Sequence, residues 1–328
     1  MHSIAYIGRE QNVHDKLFVS ILERDFNVIQ MFTSRLLKLQ FDEMSFEKCS
    51  LIVAGPLTDA ISAIPESISL PIIGVSHGFD INLESQNTEL KTNINRCCNI
   101  IADCNYVREI LNRRYLFTKE VQLMPFGCDY EFFENVIPDY KSEPRILVTR
   151  NWFPVHSNEV IITSLELLMK SKTRFDCTFI GDGPLLTEKV REISLRTGFS
   201  AIKFCGTMSK TDIRDEMTKN WLYVSAADSD GTSVSLLEAM SSGMICITSD
   251  FPSNLEWIQH GYNGFIFERK DSVSLSALIQ EICSIPLAEK KLIGERARLT
   301  AKTRGDWLVN REILMNACRR VISPQGDK

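Results

Sequence analysis

Leu222-Tyr223-Val224-Ser225-Ala226-Ala227-Asp228-Ser229-Asp230-Gly231-Thr232-Ser233-Val234-Ser235-Leu236-Leu237-Glu238-Ala239-Met240-Ser241-Ser242-Gly243 spells out most of one structural unit. The largely apolar run Leu222 to Ser225 suits a strand covered on both faces, and the polar stretch to Ser233, with Gly231 inside it, suits a loop. Val234 to Ser242 has helical spacing and stops at Gly243, a C-cap position. A second apolar run, Met244 to Thr248, follows at once. Strand, helix and strand in that order form a crossover, and crossovers build parallel sheets.

The same alternation extends in both directions. Strands are predicted at Arg145 to Thr149, Cys177 to Ile180, Ile202 to Cys205 and Gly264 to Phe267 in the second half. In the first half they fall at Ile4 to Ile7, Asn27 to Phe32, Leu51 to Ala54, Ile72 to Val75, Ile100 to Ala102 and Val121 to Pro125. A chain of 328 residues is too long for one ordinary core. The pattern therefore implies an α/β protein of two doubly wound, Rossmann-like domains facing a cleft. Ile137-Pro138-Asp139-Tyr140-Lys141-Ser142-Glu143-Pro144, with two prolines and little periodicity, reads as the linker. The expected division is residues 1–143, residues 144–305, and residues 306–328 as a C-terminal helix packing back on the first domain. Three helical patterns without an intervening strand, Ser272 to Cys283, Ala288 to Lys302 and Trp307 to Arg320, close the sequence.

Composition removes several classes of function. No apolar run approaches the roughly 18 residues of a membrane span, and the opening residues read as a first strand rather than a signal peptide, so a cytoplasmic protein is expected. The net charge of -5 argues against an extended nucleic-acid footprint. The ten cysteines lack zinc spacing, and several lie in apolar strand-like runs, which fits reduced core residues and no metal site.

Ligands of open parallel sheets bind beyond the carboxyl ends of the strands. After the strand ending at Ile180 comes Gly181-Asp182-Gly183-Pro184, a loop suited to close backbone approach by a nucleotide, or an ordinary turn. In the longer loop, the amides of Gly231, Thr232 and Ser233 precede a helix start, which favours an anion such as a diphosphate. Asp230 and Glu238 offer carboxylates to hydroxyls at two ends of an extended ligand. Glu238 also fits a simple capping box with Ser235.

Asp230 to Met240, followed by Gly243, Ser249-Asp250, Asn254, Glu256, Gly261 and Asn263-Gly264, resembles the retaining glycosyltransferases of family 4, which have the GT-B fold. Their signature is two acids separated by seven residues, the second in a Leu-Glu-Ala-Met run; the first acid is usually Glu and is Asp230 here. Arg150 matches the family's phosphate-binding arginine. The resemblance implies transfer of a hexose-type sugar from a nucleoside-diphosphate sugar to a hydroxyl acceptor, a glycan or lipid-linked glycan, with configuration retained and no metal or other cofactor. It assigns sugar hydroxyls to Asp230, the ribose to Glu238, the diphosphate to Arg150 and Gly231 to Ser233, and the nucleoside to Gly181, Asp182, Gly183, Gly206 and Met208. His77, in Ser76-His77-Gly78-Phe79-Asp80, would touch the transferred sugar, and Pro125-Phe126-Gly127-Cys128-Asp129 matches a further segment.

One position departs from the pattern: where the family usually places a lysine about five residues after the arginine, this sequence has His156. A neutral imidazole supplies no charge. That departure keeps open a non-catalytic sugar-nucleotide-binding or partner subunit. Two further alternatives are a metal-binding Asp228-Ser229-Asp230 of the GT-A type and a Rossmann oxidoreductase, although Leu186 stands where the third glycine of the latter belongs. His77 also fits a structural histidine, and His14 with Asp15 a surface helix start or the acceptor side. The basic segment Tyr106 to Lys119 fits a solvated amphipathic helix or peripheral contact with the inner face of a membrane.

Overall fold

The computed structural model describes residues 2–9, 13–33, 41–81, 88–140, 143–194 and 199–323. The chain forms two compact units, Met1–Phe126 with Leu308–Lys328, and Gly127–Trp307.

The first unit is built on β1 (Ser3–Arg9), β2 (Asn27–Thr33), β3 (Leu51–Ala54), β4 (Ile72–Val75), β5 (Asn99–Ala102) and β6 (Glu120–Leu123). They lie in the order β2-β1-β3-β4-β5-β6, and every ladder is parallel, with Ile4 opposite both Val28 and Leu51. The strands β3, β4 and β5 are buried along their whole length, which explains their unbroken apolar spelling. Helix Thr88–Arg96 buries Leu90 and Ile94, four apart on one face, and its buried Asn93 donates to the carbonyls of Leu57 and Thr58 at 3.0 and 2.9 Å. In helix Asn105–Arg113, Val107 and Leu111 are buried while Arg113 pairs with Glu109 at the surface, the arrangement of an amphipathic helix on its own core.

The second unit holds β7 (Arg145–Val148), β8 (Asp176–Phe179), β9 (Ile202–Phe204), β10 (Leu222–Ser225), β11 (Ile245–Ser249) and β12 (Phe265–Phe267) in the order β12-β11-β10-β7-β8-β9, again all parallel. Numbered within the unit, this is the Rossmann order 3-2-1-4-5-6, which reverses between β7 and β10. Those two strands pair directly, Leu222 with Ile146 and Tyr223 with Leu147. The reversal point is where such sheets open a crevice for a ligand.

The strands lie where the sequence places them, with ends displaced by one or two residues. The division into units differs from the expected boundary at 143/144. Gly127 to Glu143 groups with the second unit because Cys128, Tyr130, Phe133 and Val136 share a core with Leu236, Leu237 and Ala297. The Tyr140 hydroxyl donates to the Gly243 carbonyl, and its ring stands edge-on to Trp221. A stretch with two prolines thus reads as a linker from composition and yet is a packed arm; of that stretch, Lys141 and Ser142 lie outside the described residues. At the other end, Leu314, Met315, Ala317 and Cys318 of helix Trp307–Ile322 are buried, and Asn310 donates to the Pro125 carbonyl at 3.1 Å. No helix among the described residues is long and apolar enough to cross a membrane.

Candidate donor site at the reversal of the second sheet

The loop after β10 ends in helix Val234–Ser241, which buries Leu236, Leu237, Ala239 and Met240. Its N-cap is Ser233, whose side chain accepts from Leu236 N at 3.4 Å, so the capping box of Ser235 with Glu238 is not how this helix starts. Gly243, at φ +71, ends it as expected. Ser235 therefore lies inside the first turn with its hydroxyl available for other contacts, and Glu238 is set one turn further along.

Arg150 follows β7, beside that loop across the reversal point. Its Nη2 donates to Asp230 Oδ2 at 2.7 Å, and its Nη1 donates to Ser233 Oγ at 3.0 Å and Ser235 Oγ at 3.2 Å. Tyr223 in β10 holds Ser235 from below, hydroxyl to hydroxyl, at 2.9 Å. The ion pair is largely removed from water, with side chains 10% and 19% exposed. Arg150 Nε is buried with no hydrogen-bond acceptor among the described residues. An incompletely bonded, buried guanidinium beside a helix N-terminus is a strong attractor for an anion. Gly231 N donates to Asp230 Oδ1 at 3.0 Å, and Thr232 and Ser233 are buried beside it. Sequence spacing brings Asp230, Gly231, Thr232 and Ser233 together, but Ser235 as a partner of Arg150, and Tyr223 as the partner of Ser235, had no signal of their own, since a serine in a helix and a tyrosine in a strand are ordinary.

His156 lies in the short turn Pro154–His156 just before helix Asn158–Lys170. Its Nδ1 is 2.6 Å from the Asn151 carbonyl, which can only accept, so Nδ1 carries the hydrogen and Nε2 the lone pair. Burial, reinforced by the Arg150 charge, pushes the ring down to about 4. The ring is therefore neutral near pH 7, and Arg150 has no fixed cationic companion at this position. The acids of Asp228-Ser229-Asp230 have different partners: Asp230 pairs with Arg150, and Asp228 lies 3.3 Å from Lys270 Nζ.

Glu238 is partly buried, and desolvation lifts its carboxyl to about 7, offset in part by Lys210 and reinforced by Asp129. Lys210 pairs with Asp129 at 2.7 Å, a link across 81 residues that no motif announces. Asp129 also caps the short helix Tyr130–Phe133.

Beyond β8, Gly181 and Gly183 have φ of +133 and +154, and a side chain on Gly183 would meet the Trp152 carbonyl oxygen at 2.7 Å. The loop is laced to the segment that follows β7: Trp152 N donates to the Asp182 carbonyl at 2.9 Å, and Asp182 N to Asn151 Oδ1 at 3.2 Å. Gly206 follows β9 and accepts from Gly181 N at 2.8 Å, with Met208 packed on the core nearby. Arg150, the Gly181 to Gly183 loop, Gly206 and Asp230 to Ser233 thus all follow carboxyl ends of strands in one sheet. Leu186, at the position of a third dinucleotide glycine, begins helix Leu186–Ser194 and packs on the core.

In the first unit, His77 follows β4 and is buried. Its Nε2 is 3.7 Å from Asp15 Oδ1, and Phe18, Phe79 and Phe126 stand edge-on around the ring. Asp15 accepts from the Tyr6 hydroxyl and from Arg9 N, each at 2.7 Å, and burial outweighs these bonds to lift it to about 6. Asp15 is therefore no surface helix-start acid; the side chain of His14 lies outside the described residues. Asp80 is fully buried and is consumed by Ser76 Oγ, His77 N and Leu57 N at 2.9, 3.1 and 2.8 Å. It clamps the loop backbone and holds His77 in place.

Residues 129–300, just over half of the chain, match the family described as glycosyl transferases group 1. The chain is 26% identical over 200 residues to the sulfoquinovosyl transferase of Arabidopsis thaliana; the match covers 57% of this chain and 38% of that relative's length. Among solved structures, a glycosyltransferase from Rickettsia africae superposes with a TM-score of 0.76 at 16% identity over 98% of both chains. The Anabaena HepE protein, in complex with UDP and glucose, superposes with a TM-score of 0.76 at 15% identity, over 97% of this chain and 99% of that one. The two parallel six-stranded α/β sheets, which superpose on GT-B glycosyltransferases, and the family match over residues 129–300 agree: the chain belongs to the group 1 glycosyltransferases, the retaining GT-B enzymes of family 4.

Proposed function

We propose that the chain transfers a hexose-type sugar from a UDP-linked donor to a hydroxyl of a glycan or lipid-linked glycan, with retention of configuration and without a metal. The observation that carries this reading is the buried Arg150 guanidinium, tied to Asp230, Ser233 and Ser235 at a helix start on the reversal point of the sheet. The diphosphate rests against Arg150 and the amides of Gly231 to Ser233, Asp230 takes sugar hydroxyls, and Glu238 takes the ribose. The loops Gly181 to Gly183 and Gly206 to Met208 enclose the nucleoside. As the bond from the anomeric carbon to the diphosphate breaks, negative charge grows on the leaving oxygen, and a preoriented guanidinium with a helix dipole lowers the energy of that state. The choice of UDP is supported by a neighbour of the same fold that is solved with it. The same reading places the protein in the cytoplasm, with the charged residues of the basic segment Tyr106 to Lys119 available to a membrane that carries the acceptor.

Calorimetric titration with nucleoside diphosphates and their sugar conjugates, with and without chelator, tests the donor site. Binding of a UDP-sugar should resist chelator and fall about tenfold or more in Arg150→Ala and Glu238→Ala, in line with loss of a charge-assisted contact. Binding that chelator abolishes, or that neither variant weakens, rules out this site. A neutral His156 favours a second reading, a subunit that binds the donor without turning it over. Release of UDP from a binding-competent chain in the presence of acceptor excludes that alternative.

A further inference from the structure

His156 stands where a fixed positive charge would be expected beside Arg150, and its surroundings make it responsive to charge instead. The Asn151 carbonyl holds Nδ1–H at 2.6 Å, so the ring cannot turn its lone pair inward, and Nε2 is the single position left for a proton. The turn that carries it is anchored on both sides. Asn158 donates to the Arg150 and Asn151 carbonyls at 3.2 and 3.3 Å, and Asp228 N donates to the Val155 carbonyl at 2.8 Å. The charged groups that act on the ring are Arg150 and Asp230; on the elements packed beside its turn are Asp228 with its partner Lys270, Asp182, whose amide donates to Asn151, and Glu159 in the first turn of the next helix. Of these, Arg150 opposes a proton on the ring, while Asp230 favours one but already serves Arg150.

We propose that His156 is a conditional cation: its Nε2 takes a proton from solvent when the donor's diphosphate binds beside Arg150, and returns it when the nucleotide leaves. The inference rests on the donor-site reading above. A diphosphate brings two negative charges to a place where one guanidinium is already shared with Asp230, and their field reverses the balance that keeps the ring neutral. The proton adds a second positive charge while the leaving group needs it. Its loss afterwards weakens the hold on the product, which a permanent lysine would not do.

Titration calorimetry with UDP-glucose at about pH 5.5, in two buffers of different ionisation enthalpy, counts the protons exchanged on binding. The count is read as the difference between the parent and His156→Gln, so any proton that Glu238 gives up appears in both and cancels. An opposite charge close by raises a pKa by about one to three units, so the parent should take up about 0.2 to 0.9 of a proton beyond His156→Gln. His156→Lys should show no such uptake, bind more tightly and release product more slowly. Equal proton counts in parent and His156→Gln, with Arg150→Ala still weakening binding about tenfold or more, would overturn the proposal and leave the donor site standing. Failure of UDP-glucose to bind any form removes both.

Discussion

Burial sets Glu238 at about 7 against its ordinary 4.5, so over that interval the folded chain keeps a proton that the unfolded chain has released. Stability contributed by this group therefore falls as pH rises through the interval, by up to about 3 kcal/mol once it is passed. Glu238→Gln removes the charge at constant shape. It should raise the midpoint of thermal unfolding at pH 8 and leave it nearly unchanged at pH 4; equal effects at both would show that desolvation of the carboxylate is not the cause. The same group gives donor binding the opposite dependence. A carboxylate accepts two ribose hydroxyls better than a neutral acid does, so the affinity of the parent relative to Glu238→Gln should improve about tenfold between pH 5.5 and 8. A ratio that stays flat across that range would remove Glu238 from the ribose. His156 pulls the other way at low pH, which is why each dependence has to be read against its own variant.

The elements show which parts of this the sequence can carry. Period and apolar content placed the strands, because β3, β4, β5 and β10 are buried end to end and can be spelled only one way. The acid pair with its helix was legible too, since the spacing of Asp230 and Glu238 follows from a loop and one and a half turns. Contacts between loops were not. Whether Ser233 or Ser235 caps helix Val234–Ser241 depends on where the chain leaves β10, and the pairing of Lys210 with Asp129 depends on tertiary packing. The glycine loops lie between these cases: the residue type is visible, but not which position tolerates a side chain. Gly206, at φ +64, has open space where a Cβ would go, so Gly206→Ala should cost about 1 kcal/mol of backbone strain. Gly183→Ala adds a collision with the Trp152 backbone to a strained φ and should cost more, together with donor affinity, because the loop must leave Asn151 and Trp152. Denaturant unfolding of the two variants gives the comparison, and equal losses would mean that the Gly181 to Gly183 loop gives way without resistance.

On the scale of the whole molecule, the chain leaves the first unit at Phe126 and comes back to it only with its last helix. Leu314 and Met315 are buried there, Arg319 pairs with Asp25, and Arg320 lies 3.6 Å from Glu120. Burying a side chain such as Leu or Met contributes about 1.5–3 kcal/mol, whereas ion pairs as exposed as these add little. The helix is therefore held by its apolar face, and the first unit is incomplete until the chain's far end has been made. The residues assigned to the nucleotide and diphosphate, from Arg150 to Glu238, belong to the second unit alone. Ending the chain after Trp307 should separate the two: amides of β1, β2 and β6 should lose protection from hydrogen exchange, while those of β7 and β10 keep theirs and the affinity for UDP changes by no more than about twofold. Intact protection in β1 and β6 would show that the last helix only decorates the first unit. Loss of UDP affinity with β7 and β10 still protected would show that the nucleotide site draws on residues outside the second unit, and the assignment of nucleotide binding to that unit alone would fall.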